Sequence, residues 1–162
     1  MSTGKIDGTH YRNVMGTYPT GVTVVSAASD DGPVGLAIGS FTSVSLDPPL
    51  VVFCPGSQSS SWPKIRESGR FCVSVLADDQ GEVSNIFASK VEDKFGAVSW
   101  APSSNGAPRI DGCISYLDCD IHDIRPGGDH DIVVGLVTEM EVLRPDHGPL
   151  VFLRGGYGRF EG

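Results

Sequence analysis

The sequence predicts a mainly β domain, an antiparallel barrel with a few short helices. Three observations predict it. β-Branched runs of strand length recur, as in Val22-Thr23-Val24-Val25 and Ile132-Val133-Val134. Breakers separate them, with Gly 21 and Pro 11 among 162 residues implying many turns. The regular alternation of strands with long helices that builds a parallel nucleotide-binding sheet is missing. The chain reads as seven or eight strands, two short helices and no repeats, in one domain spanning residues 1–162. A chain of this length buries a core without staples.

Taken in order, residues 1–8 are polar, and His10 to Met15 form a short helix stopped by Gly16. Val22 to Ala27 is a strand, Asp30-Asp31-Gly32-Pro33 a turn, and Val34 to Ile38 the returning arm of a hairpin. A small-residue stretch leads to Asp47-Pro48-Pro49, and Leu50 to Cys54 is the next strand. Trp62 to Ser68 is a short helix ended by Gly69, with Ser61 as N-cap and Pro63 in the first turn. Phe71 to Leu76 is a strand. Residues 79–89 carry Val83, Ile86 and Phe87 at helical spacing, and Asp93-Lys94-Phe95 adds a further turn. Trp100 to Pro108 is a loop with three breakers. Beyond Cys113 the pattern alternates: Leu117, Cys119 and Ile121 face one side, and Tyr116, Asp118, Asp120 and His122 the other, with Asp118 and Asp120 read as solvated charges in preference to a carboxylate pair. Arg125 to Asp131 is a turn. The return strand from Ile132 points Glu139 and Glu141 outward and Met140 and Val142 inward, and Leu150 to Leu153 is the last strand.

Several chemistries are excluded. The net charge of −8 argues against nucleic acid and anionic membranes as partners. No leader and no apolar run of about 18 residues is evident, so a cytoplasmic protein without a membrane span is expected. Cys54, Cys72, Cys113 and Cys119 form no CxxC pair and read as buried free thiols. The four histidines fall in no metal-ligand spacing, so no metal is expected. There is no nucleophile elbow and no phosphate-binding P-loop.

Two stretches remain. Residues 35–49, with Gly39, Ser40, Ser43 and Ser45, leave room for a flat ligand close to the backbone, with hydroxyls and N–H groups for its polar edge. On composition alone a simple turn between strands explains them as well. Ser59-Ser60-Ser61, feeding a helix start, is either an anion site or plain capping. His130, in a Gly-Gly-Asp-His turn, is the most interesting ionisable group.

Order and wording add to this. Residues 40–51 resemble the flavin-contacting segment of the short-chain flavin reductases, the small reductase components of two-component flavin monooxygenases. Thr20-Gly21-Val22-Thr23-Val24-Val25 resembles that family's opening strand. Residues 68–76 resemble its G-x-F-x-V-N-V-L strand, with Ser74 in place of the usual Asn. Phe87-Ala88-Ser89-Lys90 and Asp93-Lys94-Phe95 resemble its helix end, Gly128-Asp129-His130 its GDH turn, and Arg154-Gly155-Gly156-Tyr157 its terminal R-G-x-Y.

The resemblance implies a flavin-binding split β-barrel, usually a homodimer, that moves hydride from NADH or NADPH to FMN or FAD. The reduced flavin then serves a separate flavin-dependent monooxygenase. Hydride transfer needs the two rings stacked at about 3–3.5 Å and no protein nucleophile. It further implies that Gly35, Leu36, Ala37, Gly39 and Ser40 line the flavin, with Cys54, Pro55 and Gly56 bordering it. Ser60 and Ser61 would hold the phosphate, and Phe87 and Lys90 would approach from the next helix. His130, with Arg154, Gly155, Gly156 and Tyr157, would contact the nicotinamide nucleotide, and His130 would be the catalytic group. Many relatives have Thr and Asn at the positions of Ala37 and Gly39 and an Arg near Ser60, which implies weaker flavin retention here. A non-catalytic flavin carrier on the same barrel is the alternative.

Overall fold

The computed structural model describes residues 4–162. Its first helix, α1 (Gly8–Met15), is capped by Asp7 and buries no residue. A short strand β1 (Thr20–Gly21) precedes the hairpin of β2 (Thr23–Ser29) and β3 (Gly32–Ile38). Then come β4 (Thr42–Ser45), β5 (Leu50–Phe53), α2 (Trp62–Ser68), β6 (Arg70–Val75) and α3 (Gly81–Ala88). A 3-10 turn spans Phe95–Ala97. The chain ends with β7 (Trp100–Pro102), β8 (Pro108–Ile110), β9 (Ser115–Gly127), β10 (His130–Val142), β11 (Leu150–Leu153) and β12 (Gly156–Arg159). The three α-helices among the described residues fall at the three helical stretches read along the chain, His10–Met15, Trp62–Ser68 and residues 79–89, so the overall count of two short helices was one too few. No helix among the described residues is long and apolar enough to cross a membrane.

The main sheet has seven strands in the order β3-β2-β6-β9-β10-β5-β4, all antiparallel. Its two edges, β3 and β4, are consecutive in the chain and joined only by Gly39, Ser40 and Phe41. A flat sheet of seven strands would hold its edges about 29 Å apart, at roughly 4.8 Å per spacing. Four residue steps span at most about 14 Å. The sheet therefore curls until its edges approach, though no hydrogen-bonded ladder closes it among the described residues. A second sheet, β1-β11-β12, carries the C-terminal strands.

Both faces of the sheet centre are covered. On one side Val25, Phe53, Phe71, Val73, Leu117 and Val133 pack against Trp62 and Ile65 of α2. On the other, Val24, Leu76, Ile110 and Leu150 pack against Phe87 of α3 and Phe95. This is why residues 22–27 of the β2 region are buried without interruption rather than in alternation.

Four expectations need correction. Residues 100–108 are not a plain loop: β7 and β8 pair, with Pro102 opposite Pro108 and Gly106 in the turn at φ 86°. That small hairpin lies over β2 and β6, and its turn residue Asn105 reaches across to β9, so Asp118 is fully buried instead of solvated. Its Oδ2 accepts from the Asn105 backbone N–H at 3.2 Å, while Oδ1 has no partner. Tyr116 is buried beside it, and Asp120, beyond the hairpin's reach, is exposed as expected. Met140 and Val142 stand opposite Leu117 and Ser115, yet both are largely exposed, because β5 pairs with β10 only as far as Leu136. Of the four free cysteines three are buried and Cys54 only half so. Burial pushes the Cys119 thiol up to about 12.

Candidate functional site

A groove of about 930 Å³ runs beside the outer edge of the sheet. β3 forms one wall, the serine loop and the first turn of α2 a second, and the end of α3 with the segment to Phe95 a third. Gly35, Leu36, Ala37, Ser60, Ser61, Phe87 and Lys90 all line it. Gly35 is bare for a packing reason. A Cβ there would stand 3.1 Å from each of the Phe87 and Phe95 rings, which meet edge to face at 5.0 Å.

At one corner the backbone N–H groups of Ser61 and Trp62 donate to Ser59 Oγ, at 3.3 and 3.2 Å. Ser59 is therefore the capping hydroxyl. Ser61 sits at the N-cap position but is already helical, at φ −83° and ψ −35°, and its side chain caps nothing, which corrects the expectation from sequence. Lys64 Nζ lies 3.3 Å from Asp31 Oδ2 across the rim. Lys94 Nζ donates to the Phe87 carbonyl at 3.0 Å and holds the third wall to α3, and burial lowers its pKa. Sequence reasoning named Ser59 within the serine loop but passed over Lys64 and Lys94 as groove residues. Lys64 could have been found, since it falls one turn after Ser61 on the same helix.

A second group adjoins the first. β9 runs on through Gly127 and β10 restarts at His130, so the expected turn at 125–131 shrinks to Gly128 and Asp129. This tip is pinned to the loop after β5. Ser57 N–H donates to the Asp129 carbonyl at 2.9 Å, and Asp131 N–H to the Pro55 carbonyl at 3.0 Å. Gly56 and His130 form a bridge, and Trp62 Nε1 donates to Asp131 Oδ2 at 2.7 Å. Ser40 Oγ accepts from the Cys54 N–H at 2.9 Å. Ser40, Cys54, Pro55, Gly56 and His130 therefore form one cluster, joined to the groove by residues 57–61. The His130 ring is half-exposed, with Nδ1 at 2.7 Å from Asp129 Oδ1. That hydrogen bond holds the Asp129 carboxyl below its usual range.

The remaining residues lie elsewhere. Gly39 faces β1, where a Cβ would stand 3.2 Å from Thr20 Oγ1. Arg154 and Gly155 make the tight turn between β11 and β12, both in the left-handed region at φ 50° and 78°. Arg154 N–H donates to the Gly16 carbonyl at 3.0 Å, and Tyr157 Oη lies 2.8 Å from Ser84 Oγ on α3. Gly156 opens β12 beside them. The turn packs on the end of α1 and on α3, and α3 is its link to the groove: Phe87 follows Ser84 by three residues. Among the described residues, ligand atoms of Asp78, Asp79 and His147 come within 4.8 Å of one another. Arg144 already occupies that spot, pairing with Asp79 at 3.0 Å and contacting His147.

Known proteins show the family. The family model described as flavin reductase like domain matches residues 15–161. The chain belongs to this family. A flavin reductase of Pseudomonas putida is 52% identical over 156 residues, which is 96% of this chain and 91% of the relative. The reductase subunit HsaB of a flavin-dependent monooxygenase from Mycobacterium tuberculosis is 46% identical, covering 97% of this chain and 84% of that protein. The NADH:FAD oxidoreductase SgcE6 of Streptomyces globisporus, solved with NAD and FAD fragments, superposes with a TM-score of 0.91 at 38% identity, covering 96% and 93% of the two chains. In this flavin reductase domain the expected mainly β architecture is present.

Proposed function

We propose that this flavin reductase domain transfers hydride from NADH or NADPH to FMN or FAD and releases reduced flavin to a separate flavin-dependent monooxygenase. The observation that carries the reading is the groove along β3, with its apolar side against Leu36, Ala37 and Phe87 and its polar corner at residues 59–64. Its volume suits one sizeable ligand. Hydroxyls and a lysine at one end with an apolar wall along the other suit a planar ring system carrying a phosphate. The related enzymes of P. putida and S. globisporus support the same chemistry.

The bound flavin supplies the hydride acceptor. Gly35, Leu36, Ala37 and Ser40 hold it against backbone, Gly39 closes the strand behind them against Thr20, and Cys54, Pro55 and Gly56 border it. Ser60 and Ser61, with Lys64, take the phosphate, and Phe87 and Lys90 cover it from α3. His130 meets the nicotinamide at the hairpin tip and acts as the catalytic group, and the turn from Arg154 to Tyr157 holds the rest of the nucleotide. None of these roles needs a nucleophile or a metal: the protein binds, orients and excludes water. The curled sheet acts as a split barrel. The exposed Val44, Leu46, Met140 and Val142 suit burial against a second copy, which supports reading the unit as a homodimer, and we read it as a cytoplasmic one.

The test is turnover in four pairings, NADH and NADPH each with FMN and FAD. NAD(P)H oxidation should require added flavin and fall about tenfold in His130→Ala, through loss of nicotinamide positioning. Flavin binding without turnover in any pairing would make the chain a carrier instead.

A further inference from the structure

The tip of the β9–β10 hairpin holds an arrangement that the reading above does not use. Asp129 Oδ1 lies 2.7 Å from His130 Nδ1. The backbone on both sides of this pair is fixed: the Asp129 carbonyl accepts from Ser57, and Asp131 N–H donates to Pro55. Asp131 is engaged on the other side, where its carboxylate accepts from Trp62 Nε1 at 2.7 Å. Across the ring, Nε2 faces Gly56. A Cβ built on Gly56 would sit 3.7 Å from Nε2, an ordinary contact, and Gly56 does not have positive φ. Neither backbone strain nor collision with the protein explains the glycine there. The glycine keeps a side chain from standing against Nε2, on a ring that is half-exposed.

The chemistry of the pair follows from its protonation. Asp129 is a solvent-exposed carboxyl and is ionised at neutral pH, and its hydrogen bond to His130 favours that form further. An ionised carboxylate only accepts, so Nδ1 carries the proton. In a neutral imidazole Nε2 is then a bare acceptor. We propose that Asp129 is a positioning residue that locks His130 in the Nδ1–H form, so that Nε2 accepts a hydrogen bond from the carboxamide N–H of the nicotinamide in the space left by Gly56. This rests on the reading that His130 meets the nicotinamide. It gives the ring a role in docking and ring placement, and hydride transfer needs no proton from it.

The experiment has two arms. Long-range proton–nitrogen NMR of nitrogen-15-labelled protein, at a pH where histidine is neutral, reports the tautomer of His130 without any ligand. The wild type should show Nδ1–H, Asp129→Ala should shift His130 towards Nε2–H, and Asp129→Asn, which keeps an acceptor oxygen, should restore much of the Nδ1–H form. A wild-type His130 found as Nε2–H overturns the inference. In the second arm, Asp129→Ala should raise KM for NADH about fivefold to tenfold, as expected for one lost hydrogen bond, with kcat within about twofold. The same variant should leave KM unmoved for reduced 3-acetylpyridine adenine dinucleotide, whose acetyl group has no N–H to donate. An equal rise for both nucleotides overturns the acceptor role. Failure of the underlying reading looks different: the wild type itself would not turn over NADH, or His130→Ala would keep full activity.

Discussion

Two glycines separate the interior of this domain from its site. Gly135 lies midway along β10, and a Cβ there would stand 2.6 Å from Phe71 Cζ and 3.3 Å from Cys119 Cβ. Phe71 is itself fully buried and packs edge to face on Phe53 at 5.0 Å. The space at Gly135 is already filled by the protein's own ring. Gly56, on the loop that the β9–β10 tip docks against, has only the edge of His130 nearby, at 3.7 Å. One glycine makes room for the core and the other leaves room for something that is not part of the chain. The same difference runs through their surroundings. The interior of the sheet is apolar or, as at Asp118, sealed beneath a covering hairpin, whereas the tip is polar, half-exposed and held in shape by backbone hydrogen bonds.

The contrast can be broken at several points. The largest effect on stability is expected from Gly135→Ala. Overpacking against Phe71 and Cys119 should cost about 1–3 kcal/mol, read as a lower denaturation midpoint with an unchanged slope. Gly56→Ala should leave that midpoint within about 0.5 kcal/mol, because its Cβ meets only ordinary contacts. It should still lower kcat/KM several-fold by occupying the space beside Nε2. If Gly56→Ala instead destabilises as much as Gly135→Ala, the two positions do not differ as described. The smallest effect is expected at the groove's polar corner. Lys64→Ala should weaken FMN binding about fivefold, the loss of one charge-assisted contact, and leave riboflavin, which has no phosphate, unchanged. Equal weakening of both would mean that Lys64 acts through packing.

Much of this was legible in the sequence, for a local reason. Residues 20–38, 50–53 and 70–75 announce their strands by β-branched runs and breakers, and the serine loop and hairpin tip are contiguous stretches whose wording resembles a family. What stayed hidden depends on distant chain. Asp118 looks solvated because nothing in its own strand says that residues 100–110 will fold over it. Met140 and Val142 alternate correctly, and only the early end of β5 leaves them uncovered. Ser59 and Ser61 are chemically alike, and backbone torsions rather than residue type decide which of them caps α2. Asp78, Asp79 and His147 meet across a turn that no spacing rule brings together.

The central claim is that a flavin settles along β3 with its phosphate at the serine corner. The most direct measurement is a crystal of this chain soaked with FMN. The account predicts density for the ring system against Leu36, Ala37 and Phe87 and for the phosphate within hydrogen-bond reach of Ser60, Ser61 and Lys64. A groove filled by the protein's own side chains, with FMN absent or bound elsewhere, would contradict it.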